Sequence, residues 1–141
     1  AWANRGTTFR KLAQYAEALL NYDKAVHAQP NLYEAWYGRG IALNHLGRNE
    51  AAIESYDRAL AINAEFYPAW YSRGVAFDHL GNATAAIASY DEALRLQPNF
   101  PEAVSRRNLA LKQPNRVELD RDRDKDFGLP TGSNISLVDP C

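Results

Sequence analysis

The sequence predicts an all-α chain, a solenoid of helix-turn-helix units closed by a capping helix and followed by an irregular tail. Three observations carry this. Trp2, Trp36 and Trp70 are spaced by 34 residues, and Gly6/Gly40/Gly74, Ala18/Ala52/Ala86, Tyr22/Tyr56/Tyr90 and Ala25/Ala59/Ala93 keep the same phase. Residues 33–66 and 67–100 are identical at 19 of 34 positions. Within each unit the apolar and small residues recur at helical spacing. A fixed period of this length is the signature of stacked repeats, in which each unit buries its apolar face on its neighbours.

The elements follow in order. Unit 1 spans residues 1–32 and carries Trp2, Gly6 and Phe9, then Ala18, Tyr22 and Ala25, and ends at Pro30. In unit 2, residues 33–66, Trp36, Gly40, Leu43 and Leu46 form one helical face. Gly47 ends that helix, because glycine accepts the left-handed cap. Ala52, Ile53, Tyr56, Ala59 and Leu60 then make a second helix that runs to about Asn63. Unit 3, residues 67–100, repeats the pattern with Trp70, Gly74, Phe77, Gly81, Ala86, Tyr90 and Ala93, and stops at Pro98. Small residues such as Gly40 and Ala52 let facing helices approach closely, with Trp36 and Tyr56 filling the space beside them as core.

Residues 101–113 begin a fourth unit in phase, with Val104 for Trp and Asn108 for Gly, and meet Pro114. They are expected to form a cap whose polar outer face is supplied by Arg106, Arg107 and Lys112. Residues 114–141 hold prolines, glycines and the alternating run Asp120–Asp126, and read as a tail that is flexible or lies in the groove.

Composition bounds the function. Among 141 residues, Lys plus Arg is 16 and Asp plus Glu is 17, a net charge of −1. A dedicated nucleic-acid or anionic-membrane binder usually has a basic excess, so neither partner is expected. No apolar run reaches the ~18 residues of a membrane span. Cys141 is the single cysteine, which excludes an internal disulfide and makes a reducing, cytoplasmic setting the expectation. The chain has no Met and starts at Ala1-Trp2, which suggests a piece of a longer protein.

Catalytic patterns are missing: there is no phosphate-binding glycine loop, dinucleotide fingerprint or nucleophile elbow. His45 and His79 occupy equivalent places, but duplication explains this and no third ligand accompanies them. The Asp120/Asp122/Asp124 spacing lacks the Gly and Glu of a calcium loop, since Lys125 and Thr131 stand there. Asn82-Ala83-Thr84 and Asn134-Ile135-Ser136 are glycosylation sequons by letter only. No enzyme activity, cofactor or metal is expected.

The motif Trp36-x2-Arg39-Gly40-x2-Leu43, then Ala52-x3-Tyr56, with its copies at Trp70 and Trp2, resembles the tetratricopeptide repeat family across residues 1–112. The wording A-W-Y-x-R-G and Y-D-x-A-L is similar to bacterial, cyanobacterial-style members. Departures are Ala13 for the glycines at 47 and 81, Ala64 for Pro30 and Pro98, and Arg where the family usually has Leu. The resemblance implies a right-handed α-solenoid whose first helices line a concave peptide groove.

On this chain the groove stripe would be Thr7, Arg10 and Lys11, after Ala3, in unit 1. It would be Tyr37, Ile41, Asn44 and His45 in unit 2, and Tyr71, Val75, Asp78 and His79 in unit 3. In the cap it would be Ser105, Leu109 and Lys112, with Arg106 beside them. Tyr37 and Tyr71 are expected as contact area for a peptide; the plainer reading is that they cover helix flanks. Some relatives grip a C-terminal carboxylate with Lys and Asn. The matching places here hold Ala3, Thr7, Gly38, Pro68 and Ser72, so that clamp is missing.

A charge ladder completes the reading. Arg5, Arg39, Arg73 and Arg107 recur every 34 residues, as do Asp23, Asp57 and Asp91. An Arg in an apolar place needs a partner. Pairing within a unit joins Arg39 to Asp57 and Arg73 to Asp91. Pairing between units joins Asp23 to Arg39, Asp57 to Arg73 and Asp91 to Arg107, and is favoured because it satisfies the cap. The alternative is that the Arg heads snorkel to water.

The expected function is protein–protein interaction, as an adaptor or scaffold that binds a partner's peptide segment. Competing readings are a regulatory appendage of a larger enzyme, a scaffold that self-associates through the apolar Trp2 end, and a groove inhibited by the tail.

Overall fold

The computed structural model describes residues 1–113; the expectations for the tail, residues 114–141, lie outside the described residues. Seven α-helices make up the described chain: α1 (Trp2–Lys11), α2 (Tyr15–Ala28), α3 (Tyr33–His45), α4 (Asn49–Ile62), α5 (Tyr67–His79), α6 (Ala83–Leu96) and α7 (Pro101–Lys112). They pack as the pairs α1–α2, α3–α4 and α5–α6, and α2–α3, α4–α5 and α6–α7 pack across the junctions. The odd helices also touch each other in order, α1 to α3 to α5 to α7. They therefore form one continuous layer, backed by the even helices.

The core is built from alanine and one tyrosine per unit. Ala18, Ala52 and Ala86 are fully buried, as are Ala35, Ala69 and Ala103, and Tyr22, Tyr56 and Tyr90 are the largest buried side chains. Each tyrosine ring lies against a glycine of the preceding odd helix. A Cβ at Gly6 would stand 2.9 Å from the Tyr22 ring, and one at Gly74 2.5 Å from Tyr90; at Gly40 it would be closer still to Tyr56. Gly38 of α3 also lies against the Tyr22 ring.

The tryptophans are not core residues, contrary to expectation. Trp36 and Trp70 are half-buried, and their indole N–H groups donate to the carbonyls of Pro30 (2.8 Å) and Ala64 (2.9 Å) in the turn before the helix. Arg39 and Arg58 lie over the Trp36 ring, and Arg73 over Trp70. A large ring with one polar edge settles where the edge finds a partner and the face takes a cation.

Trp2 is half-buried under Lys24 at 4.6 Å and Arg5 at 5.1 Å from its ring, so the end expected to be apolar carries two cations. The cap also departs from expectation. Arg107 turns back onto α6 and Arg106 toward the odd-helix layer, leaving Leu109 and Leu111 58% and 54% exposed.

Three turns after odd helices require the left-handed conformation: Gly47 (φ 79°), Gly81 (φ 76°) and Ala13 (φ 60°). An L-residue there costs about 1–2 kcal/mol, which the lower unfolded-state entropy of alanine offsets in part. Ala13→Gly is therefore expected to raise the melting temperature by an amount worth about 0.5–1 kcal/mol. Gly40→Ala should lower it, by about 1–3 kcal/mol, because Tyr56 must be displaced. Thermal unfolding followed by circular dichroism checks both.

Candidate functional site

The odd helices present their sides to an open concave pocket of about 300 Å³ between units 2 and 3, lined by Ile41, Asn44, His45, Tyr71, Ser72, Val75, His79 and Arg106. Helical spacing explains the grouping. Ile41, Asn44 and His45 stand on one side of α3, and Tyr71, Val75 and His79 on the matching side of α5. Arg106 comes from the first half of α7, one period after Ser72, which sequence reasoning placed only as a missing clamp position. The signal for Ser72 was its register: it follows Gly38 and precedes Arg106 at intervals of 34.

The other stripe residues are engaged elsewhere. Tyr37 packs edge-on against Phe66 (5.0 Å, 87°) and tilted against Tyr56 (6.0 Å). Tyr71, although it lines the pocket, packs on Phe100 (4.9 Å) and Tyr90 (5.9 Å). Both tyrosines therefore have structural contacts and are half-buried. Thr7 Oγ1 shares a 2.8 Å hydrogen bond with the Tyr22 hydroxyl, and Arg10 Nε donates to that hydroxyl at 3.2 Å. Lys11 is exposed at the end of α1. His45 stacks flat on Tyr15 of α2, with ring centroids 4.1 Å apart.

The buried tyrosines send their hydroxyls toward this layer. The Tyr90 hydroxyl donates to Asp78 Oδ2. Tyr56 is enclosed beside Asn44 and Ser72, and neither its hydroxyl nor Asn44 Oδ1 has a hydrogen bond of ordinary geometry. Burial pushes the pKa of both phenols well above the ordinary tyrosine range; the nearby Tyr37 adds to this at Tyr56, and Asp78 adds to it at Tyr90. These folded-state values lie above the unfolded one, so the neutral rings stabilise the fold below the unfolded value. That stability is lost as pH rises past about 10.

The recurrent charges meet across the junctions. Arg39 Nε donates to Asp23 Oδ1 at 2.6 Å, Arg73 Nε donates to Asp57 Oδ1 at 2.8 Å, and Arg107 Nε donates to Asp91 Oδ1. The within-unit register is absent from these contacts; its place is taken by serine. Arg39 Nη1 donates to Ser55 Oγ at 2.7 Å and Arg73 Nη1 to Ser89 Oγ at 2.8 Å. Each of these two guanidinium groups thus joins the even helix of the unit before to the even helix of its own. The serines, fully buried, were missed because hydroxyls on an even helix carry no charge signal in the sequence. Arg5 instead lies over Trp2.

Two measurements follow. Arg73→Lys keeps the charge but loses the fork that reaches Asp57 and Ser89 together. With Asp57 half-exposed, the loss should be about 1 kcal/mol, read as a fall of a few degrees in melting temperature. In an alkaline titration followed by tyrosinate absorbance, Tyr56 and Tyr90 should stay protonated beyond the ordinary tyrosine range. Melting temperature should fall as pH rises past about 10.

Comparisons with known proteins agree with this architecture. One tetratricopeptide repeat model matches residues 4–68 and a second matches residues 67–100. The first tetratricopeptide domain of Spaghetti (RPAP3), bound to the HSP90 peptide SRMEEVD, is 26% identical with a TM-score of 0.77, over 79% of this chain and 88% of that one. MamA is 25% identical at a TM-score of 0.77, over 88% and 78% respectively. The Arabidopsis OM64 domain shares the fold at 22% identity and a TM-score of 0.78, over 80% and 93%. No curated protein sequence matches the chain. Family models over residues 4–100, the in-phase helix pairs and the tyrosine-on-glycine packing lead to one conclusion: the chain belongs to the tetratricopeptide repeat family.

Proposed function

We propose that the chain is a protein-interaction module that binds a peptide segment of a partner on its odd-helix layer and carries no catalysis of its own. The observation that carries this reading is the open pocket between units 2 and 3. Ile41, Val75 and Tyr71 supply apolar wall, and Asn44, Ser72, His45, His79 and Arg106 supply polar groups beside it. An open surface of this kind suits an extended segment better than a small metabolite, which needs to be enclosed. The peptide seen on the Spaghetti domain supports the same class of ligand. Because Ala3, Thr7, Gly38, Pro68 and Ser72 offer no Lys–Asn clamp, a free C-terminal carboxylate is not the group expected to be read there.

Tyr37 and Tyr71 are poor probes of binding, since their removal would loosen the packing on Phe66 and Phe100. Ile41→Asn with Val75→Asn changes the pocket wall instead. Peptides selected from a displayed random library against the intact chain should bind this double variant at least about tenfold more weakly. A control, Glu54→Gln on exposed α4, should bind them as the parent does, with unchanged melting temperatures. Selected peptides insensitive to the double variant would overturn the reading.

A further inference from the structure

The pocket between units 2 and 3 has a one-sided polar lining. Asn44 and His45 come from α3, Ser72 and His79 from α5, and Arg106 from α7; no carboxylate lines it. Asp78, also on α5, accepts the hydroxyl of Tyr90. The charged and titratable groups around the space are Arg10 on α1, which acts on Tyr56, Tyr15 on α2, stacked on His45, and Arg106, beside Tyr71 and Tyr90. Arg10 donates to the Tyr22 hydroxyl, so Arg106, which hydrogen-bonds to Tyr71 and Tyr90, is the cation that lines the pocket.

Charge of one sign beside the apolar walls of Ile41 and Val75 selects its occupant. A basic side chain would meet Arg106 with no carboxylate lining the pocket to receive it. A neutral side chain would leave the guanidinium without a counter-ion. A carboxylate accepts from the Arg106 fork, its methylenes lie on Ile41 and Val75, and Asn44 and Ser72 supply neutral hydrogen-bonding groups. We propose that this pocket is a subsite for an acidic side chain, Glu or Asp, within the partner's peptide segment. The proposal rests on the peptide-groove reading and adds the residue class that anchors the segment.

The test uses the full chain labelled with ¹⁵N and three blocked peptides, acetyl-Ala-Val-Glu-Val-Ala-amide and its Gln and Lys counterparts. Blocking both ends removes terminal charge, so only the central side chain differs. The Glu peptide should bind about fivefold more tightly than the Gln peptide, with amide shifts at Asn44, His45, Val75, His79 and Arg106. The Lys peptide should bind most weakly. Arg106→Gln should erase the Glu preference. Arg106→Glu, at an exposed position and with its melting temperature checked against the parent, should reverse it toward Lys. Equal binding of the three peptides at those residues would overturn the acidic subsite and leave the groove reading standing. Shifts confined to the even helices would overturn both. No binding by the Glu peptide, or a Glu preference that survives Arg106→Gln, would also overturn the subsite.

Discussion

The rest of the molecule depends on one contact, a tyrosine ring set into the notch left by a glycine. Tyr22 on Gly6, Tyr56 on Gly40 and Tyr90 on Gly74 let each even helix approach its odd partner closely enough for alanines to fill what remains. A side chain at any of these glycines would separate the pair. The same rings couple the core to the binding layer, because each is long enough to bring its hydroxyl to that surface. There it meets Thr7 and Arg10 in unit 1 and Asp78 in unit 3, whereas in unit 2 it lies beside Asn44 and Ser72.

Packing of alanine on alanine is not strongly directional, so something else must set how units stack. The Asp–Arg–Ser contacts have the geometry for that role. With half-exposed aspartates they add little stability, about 0–1 kcal/mol each. Their value lies in direction: a guanidinium plane bound at two edges fixes the angle between two even helices. We therefore assign them to the curvature of the odd-helix layer, and so to the spacing of the pocket walls on α3 and α5.

Much of the fold was legible in the sequence, because a period of 34 residues repeats every helix, turn and buried position several times over. The pocket was partly legible. Ile41, Asn44, His45, Val75 and His79 share a side of their helices, and helical geometry brings them to one layer. What was not legible depends on neighbours distant in the chain. Tyr37 is drawn away by Phe66, a residue of the turn before α5. Ser55 and Ser89 read as ordinary polar positions until Arg39 and Arg73 arrive above them. Trp36 and Trp70 read as core because their mass is apolar, but the indole N–H needs an acceptor and finds one in the preceding turn.

The junction contacts have a consequence for how such a chain changes length over evolutionary time. Each bridge uses residues sixteen positions apart on both arms: Asp23 to Arg39 to Ser55, then Asp57 to Arg73 to Ser89. Duplicating or deleting a whole unit of 34 regenerates every bridge, whereas inserting a single residue within an arm breaks one. The array can therefore grow or shrink in whole modules and extend its recognition surface by one odd helix at a time. The turns at 29–32, 46–48, 63–66 and 80–82 lie within these arms, so an insertion there has to loop out and leave the flanking helices in place.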